Sequence, residues 1–185
     1  HGAAPATEAG ARRWYHCRVH HWQDMAYPRH EERSGRARVA ILPVGALEAH
    51  GPHLPVGTDL VIAEAMADAA ARRLAAEDLD VTLLPALAYT PAPFADEFPG
   101  TISIRPETLT ALVVDVARAL GARGYACLAL ANAHLDPANL AALGAARDEI
   151  GRELTIRVAF PDLTRRALAA RLTEEFRGGA CHAGR

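Results

Sequence analysis

Between Pro43 and Leu60 the chain places Glu48, His50, His53 and Asp59 among three prolines and three glycines. Two further polar groups stand apart in sequence: Asn132, His134 and Asp136 in "NAHLDPAN", and His182 in the closing "HAGR". Imidazoles and carboxylates in this mixture suit Zn, Mn or Fe, whereas Mg and Ca prefer oxygen alone. The carboxylates are numerous enough for two divalent ions with one bridging group. Such a pair ionises water near neutral pH and polarises a carbonyl. Rigid Gly- and Pro-rich turns would hold ligands in place beforehand. Each residue also has a plain structural reading. Asp59 alone is a helix cap, Asp136 alone a turn-former before Pro137, Asn132 alone a strand terminator, and "GPH" alone a turn. Only their joint placement points to chemistry.

That placement depends on the elements between them. "RVAILPVG", "VTLLPAL", "YACLALA" and "TIRVAF" are short apolar runs bounded by Pro, Gly or polar residues, the pattern of strands buried on both faces. Between and after them lie helical patterns: "LVIAEAMADAAARRLAA" with Thr58 or Asp59 as cap, "ETLTALVVDVARALGARG" after Pro106, "LAALGAARDEIGREL", and "PDLTRRALAARLTEEF". Strands alternating with helices predict an α/β fold, a three-layer sandwich with a mainly parallel sheet and helices on both faces. In such sheets ligands bind beyond the carboxyl ends of the strands. Glu48, His50, His53 and Asp59 follow the first predicted strand; Asn132, His134 and Asp136 follow the third. The long Pro-rich loop "AYTPAPFADEFPGTISI" is of the length that usually serves a site. Residues 1–36 read as an irregular lead-in, and residues 37–185 as a single domain.

Composition narrows the partners. The chain has 185 residues, half of them hydrophobic, and a formal net charge of -2. It therefore shows no electrostatic basis for binding nucleic acid or an anionic membrane surface. All twenty basic residues are Arg. No apolar run reaches bilayer-spanning length. Three scattered Cys (17, 127 and 181) do not suggest a disulfide framework and fit a reducing, cytoplasmic setting. The alternative is a nucleotide-binding or degenerate, non-catalytic α/β module: no G-x-G-x-x-G follows the first strand, which counts against dinucleotides, and the presence of Glu48, His50, Asp59 and His134 counts against loss of metal.

"LPVGALEAHGPHLPVGTD" closely resembles the signature of the creatininase (creatinine amidohydrolase) family. "FPGTISI" is similar to that family's Phe-Pro-Gly-Thr segment, "NAHLDPAN" stands where it has Asn-Gly-His, and "HAGR" resembles the start of its His-Ala-Gly-x-x-Glu-Thr-Ser motif. The "HAGR" form, with Arg after the Gly, resembles the mycofactocin-type peptidase branch. The resemblance implies a creatininase-like fold and hydrolysis of a cyclic or linear carbon–nitrogen amide bond by metal-activated water. It implies Glu48, His50, Asp59, His134 and Asp136 as metal ligands, with Asp59 bridging. His182 becomes the catalytic proton-transfer residue, with His53 and Asn132 near substrate. It further implies two divalent ions (Zn, Mn or Fe), a small-molecule amide or short peptide substrate, and a homo-oligomer, a hexamer on the family's pattern. Three departures stand out: Ala133 replaces the family's Gly, "LDP" replaces its Gly-Gly-Asn tail, and the chain stops inside the last motif, as a C-terminally truncated domain would.

Overall fold

The computed structural model describes residues 19–32, 34–161 and 163–164. Five strands form one parallel sheet in the order β1-β3-β2-β4-β5. The strands are β1 (Val19–His21), β2 (Arg38–Val44), β3 (Asp80–Leu83), β4 (Cys127–Asn132) and β5 (Arg157–Ala159). The helices are α1 (Thr58–Ala76), α2 (Pro106–Ala122) and α3 (Pro137–Glu153).

All seven residues of β2 are buried. Side chains alternate across a strand, and β2 divides accordingly. Ala40, Leu42 and Val44 join the core built by Leu109, Val113 and Leu120 of α2 and Leu143 and Ile150 of α3. Val39 and Ile41 face the alanines of α1 (Ala67, Ala71, Ala75). Helices thus cover both faces, which is the expected three-layer α/β sandwich. The small side chains Ala63, Ala67, Ala71 and Ala75 recur every four residues of α1, so one helical stripe approaches the sheet closely.

Chain order places the site. From β2 the chain crosses to β3 on one side; from β3 it crosses back over β2 to β4 on the other. The loops that leave the carboxyl ends of β2 and β4 therefore open beside each other, as at a topological switch point. The register is direct: Val44 pairs with Asn132, and Ala133 N donates to Val44 O at 2.9 Å.

Three local expectations are corrected. The lead-in is not irregular throughout: Val19–His21 adds an edge strand to β3, and Trp22 lies 6.0 Å ring to ring from buried Tyr125. Three residues are too few to show a period. Helix α1 is capped by Gly57, not by Thr58 or Asp59, so both lie within its first turn. The predicted strand over 81–87 stops at Leu83, because Pro85 has no N–H to give. Beyond it Leu84 N still donates to Ile41 O, and an isolated bridge, Val44 to Leu87, continues the pairing. The last predicted helix lies, past Thr164, outside the described residues.

Candidate metal centre

Glu48, Asp59 and His134 meet at the shared mouth of β2 and β4. Each offers one donor atom, and these atoms all lie within 4.8 Å of one another. All three residues are buried. His134 Nδ1 is 3.1 Å from Asp59 Oδ2 and 3.2 Å from Glu48 Oε1. His50 stands alongside, its Nε2 3.0 Å from Asp59 Oδ1 and 3.8 Å from Glu48 Oε1.

The backbone sets the tautomers of both imidazoles. A carbonyl oxygen only accepts, so the ring nitrogen facing it carries the hydrogen. His134 Nε2 donates to Pro91 O at 2.8 Å, and His50 Nδ1 donates to Glu48 O at 3.1 Å. In the neutral rings, His134 Nδ1 and His50 Nε2 are thereby left with their lone pairs toward the carboxylates. Orientation of this kind by an outer hydrogen bond is the usual support of a metal-ligating His.

Each ligand-type residue is held by a different element. Glu48 N donates to Val56 O at 3.0 Å, closing the loop that follows β2. That loop turns at Gly51, whose φ of +69° falls in the left-handed region. The "FPGTISI" segment braces the loop from outside: Ala49 N donates to Thr101 Oγ1 at 3.1 Å and Ile102 N to Leu47 O at 2.9 Å. Asp59 is fixed by α1, whose first turn packs directly on Gly45. Neither Gly45 nor the Pro91 carbonyl was anticipated from the sequence, since one acts through closeness and the other through a main-chain atom.

The other predicted residues take distinct places. Both Asp136 oxygens accept backbone N–H groups, from Ala138 at 2.7 Å as the N-cap of α3 and from Phe94 at 3.4 Å. Asp136 nonetheless lines the same cavity as Glu48 and His134. Asn132 is buried, and its carboxamide bonds to His134 O and Asn139 Nδ2. His53 is exposed on the loop beside Gly51. His182 lies outside the described residues. The cavity, of about 810 Å³, has Glu48, His134 and Asp136 on its wall together with the apolar Pro52, Phe94 and Phe98.

Burial pulls the His134 pKa down, but hydrogen bonds to Asp59 and Glu48, together with the charge of Glu48, outweigh it and push the value up to about 10. Without metal, His134 is then an imidazolium shared by two carboxylates. A folded pKa above the unfolded value of about 6.5 gives stability that is fully present below that pH. It is lost as pH rises through about 10. Chelator-treated protein should accordingly show a melting temperature that falls between pH 7 and 10, with a shallower fall in His134→Ala. Equal slopes would exclude this coupling.

Among the described residues, no helix is long and apolar enough to cross a membrane. A family model described as "Creatinine amidohydrolase" matches residues 23–185. A mycofactocin precursor peptide peptidase of Mycobacterium tuberculosis is 45% identical over 83 residues, which is 42% of this chain and 33% of that protein. Creatinine amidohydrolase of Pseudomonas putida is 35% identical over 103 residues, covering 53% of this chain and 38% of that protein. The chain thus matches about a third of the length of the first relative and under two fifths of the second. Among solved structures, a creatinine amidohydrolase (creatininase) superposes with TM-score 0.69 at 28% identity, covering 84% of this chain and 63% of the other. A structure titled "Creatininase Mn" gives TM-score 0.64 at 26% identity, covering 84% and 64%.

Proposed function

The chain belongs to the creatininase family, and from that premise and the buried Glu48–Asp59–His134 cluster we propose that it is a metal-dependent hydrolase of a carbon–nitrogen amide bond. The cluster is the observation that carries this reading. Two buried carboxylates point at one another across a single imidazole nitrogen, an arrangement whose net negative charge a divalent cation neutralises. The donor set of nitrogen and oxygen suits Zn, Mn or Fe. A divalent ion held there would lower the pKa of a bound water toward neutrality and would itself polarise the amide carbonyl.

The chain's own residues have separate tasks in this proposal. Glu48, Asp59 and His134 would hold one ion, and His50, which stands against Asp59, would with Asp136 contribute donors to a second. The cavity beside them admits the amide, and the apolar side chains of Pro52, Phe94 and Phe98 on its wall, though solvent-exposed, offer contact surface to the substrate. His182 gives a proton to the leaving nitrogen, since an amide anion is too poor a leaving group and an imidazole titrates in the right range. Substrate is a small amide or a short peptide. The latter gains support from likeness to a protein named for peptide cleavage. Residues 37–185 belong to one domain, which works in the cytoplasm as a homo-oligomer, a hexamer on the family's pattern. Sedimentation at micromolar concentration tests the assembly.

Two experiments test the chemistry. Hydrolysis of short peptides and cyclic amides should vanish on chelation and return with Zn or Mn. In His182→Ala, kcat should fall by about 10²–10⁴ with metal retained, the range for losing a general acid. Full turnover after chelation would reject the hydrolase mechanism, and near-parental kcat in the variant would remove His182 from it.

Asp136→Ala separates two roles. As a helix cap its loss should cost about 1 kcal/mol. As a ligand of the second ion, its loss should also lower metal uptake per chain. Unchanged uptake with reduced stability would leave Asp136 as a cap alone.

A further inference from the structure

We propose that Asn139 is a positioning residue for His134, one that sets metal affinity without touching metal or substrate; the inference rests on the metal centre proposed above. Asn139 sits in the first turn of α3 and is 0% exposed. Its Nδ2 donates to His134 O at 2.7 Å and to Asn132 Oδ1 at 3.0 Å. Asn132 Nδ2 donates to the same His134 O, also at 2.7 Å. Two buried amides therefore converge on one carbonyl. The orientation of Asn139 follows from chemistry, because both of its neighbours are oxygens that accept.

The other end of the same carboxamide is the second observation. Asn139 Oδ1 is buried with no hydrogen-bond partner among the described residues. A buried acceptor left unpaired is destabilising, so a side chain selected only to fill this space would be apolar. What Asn139 contributes is its donor, and that donor goes to His134 and to the residue that braces His134.

The geometry shows why the His134 backbone needs holding. The ring is tethered at Nε2 by the Pro91 carbonyl, and Nδ1 must stay near both Asp59 and Glu48. With the far side of the ring fixed, the remaining freedom lies in the main chain of the turn 132–136. Ala133 N is tied to β2 through Val44 O. The His134 carbonyl is tied to α3 through Asn139. The turn is thus pinned between strand and helix, with the donor nitrogen facing the carboxylates.

The test uses the whole chain, stripped of metal by chelation and dialysis, then titrated with Co(II) and with Zn. Outer-shell supports of metal-ligating histidines typically alter affinity by about 10–100-fold. Asn139→Ala should weaken both metals by that factor and shift the visible absorption of bound Co(II). Ile150→Ala is the control: a fully buried residue of the same helix, two turns and more from the site, whose loss destabilises α3 without touching the turn. It should leave affinity and spectrum as in the parent. Asn139→Ser, which retains a shorter donor, gives the same measurement should the alanine variant not fold, and should lose less affinity. Parental affinity in the foldable Asn139 variant, or an equal loss in Ile150→Ala, overturns the inference alone. Failure of the parent chain to take up either metal overturns the inference together with the metal centre.

Discussion

Replacing His134 by alanine should destabilise the metal-free protein at neutral pH by about 3–5 kcal/mol, the range for leaving buried charge uncompensated. His134 Nδ1 lies 3.1 Å from Asp59 and 3.2 Å from Glu48, and the three residues are buried. Without the imidazolium the two carboxylates face each other with their principal counter-charge gone. That uncompensated buried charge is the source of the loss. Urea denaturation in chelator at neutral pH measures this. A loss below about 1 kcal/mol, as for an exposed ion pair, would mean that the cluster is far better solvated than its burial indicates.

The second large effect is expected at Gly45. A Cβ there would lie 2.6 Å from Leu60 N and 2.8 Å from the Asp59 carbonyl carbon, both main-chain atoms. Gly45 cannot retreat easily: its N–H is bonded to Leu87 O at 3.0 Å and its carbonyl accepts from Thr90 Oγ1 at 2.8 Å. The first turn of α1 has to move outward, taking Asp59 with it. Gly45→Ala should cost about 3 kcal/mol, at the upper end of overpacking, and should weaken metal binding. Gly144→Ala is the contrast, since a Cβ there meets nothing within 4 Å. In the interior of α3 it should be neutral or stabilising by up to about 1 kcal/mol. Similar outcomes for the two glycines would show that the strand–helix contact does not position Asp59.

These two sites also mark how far the sequence could be read. The strand over 38–44 and the loop after it were legible, because an apolar run ending in Pro and Gly carries its own signal. So was the joint position of Glu48, Asp59 and His134, because alternating strands and helices bring successive strand ends to one side of the sheet. Gly45 was visible only as a strand terminator, since its close approach to α1 exists only after the helix has packed. The Pro91 carbonyl carries no side-chain signature, and Asn139 reads as one polar residue in a helix until its partners are seen. For Asp136 the sequence supports both a ligand and a turn-forming role, and the geometry displays the cap directly. The edge strand at 19–21 was missed because three residues pairing with a neighbour at the rim show no period.

The most direct measurement for the whole account is metal content per chain after purification and exhaustive dialysis, by mass spectrometry, with Asp59→Asn alongside. The parent should retain divalent metal at a stoichiometry approaching about two per chain, as expected of a paired-ion hydrolase centre. Asp59→Asn, nearly the same shape but without the carboxylate charge, should retain little while giving the parental circular dichroism spectrum. A parent chain that holds no Zn, Mn or Fe even after incubation with each metal, or an Asp59→Asn variant loaded as fully as the parent, would contradict the account.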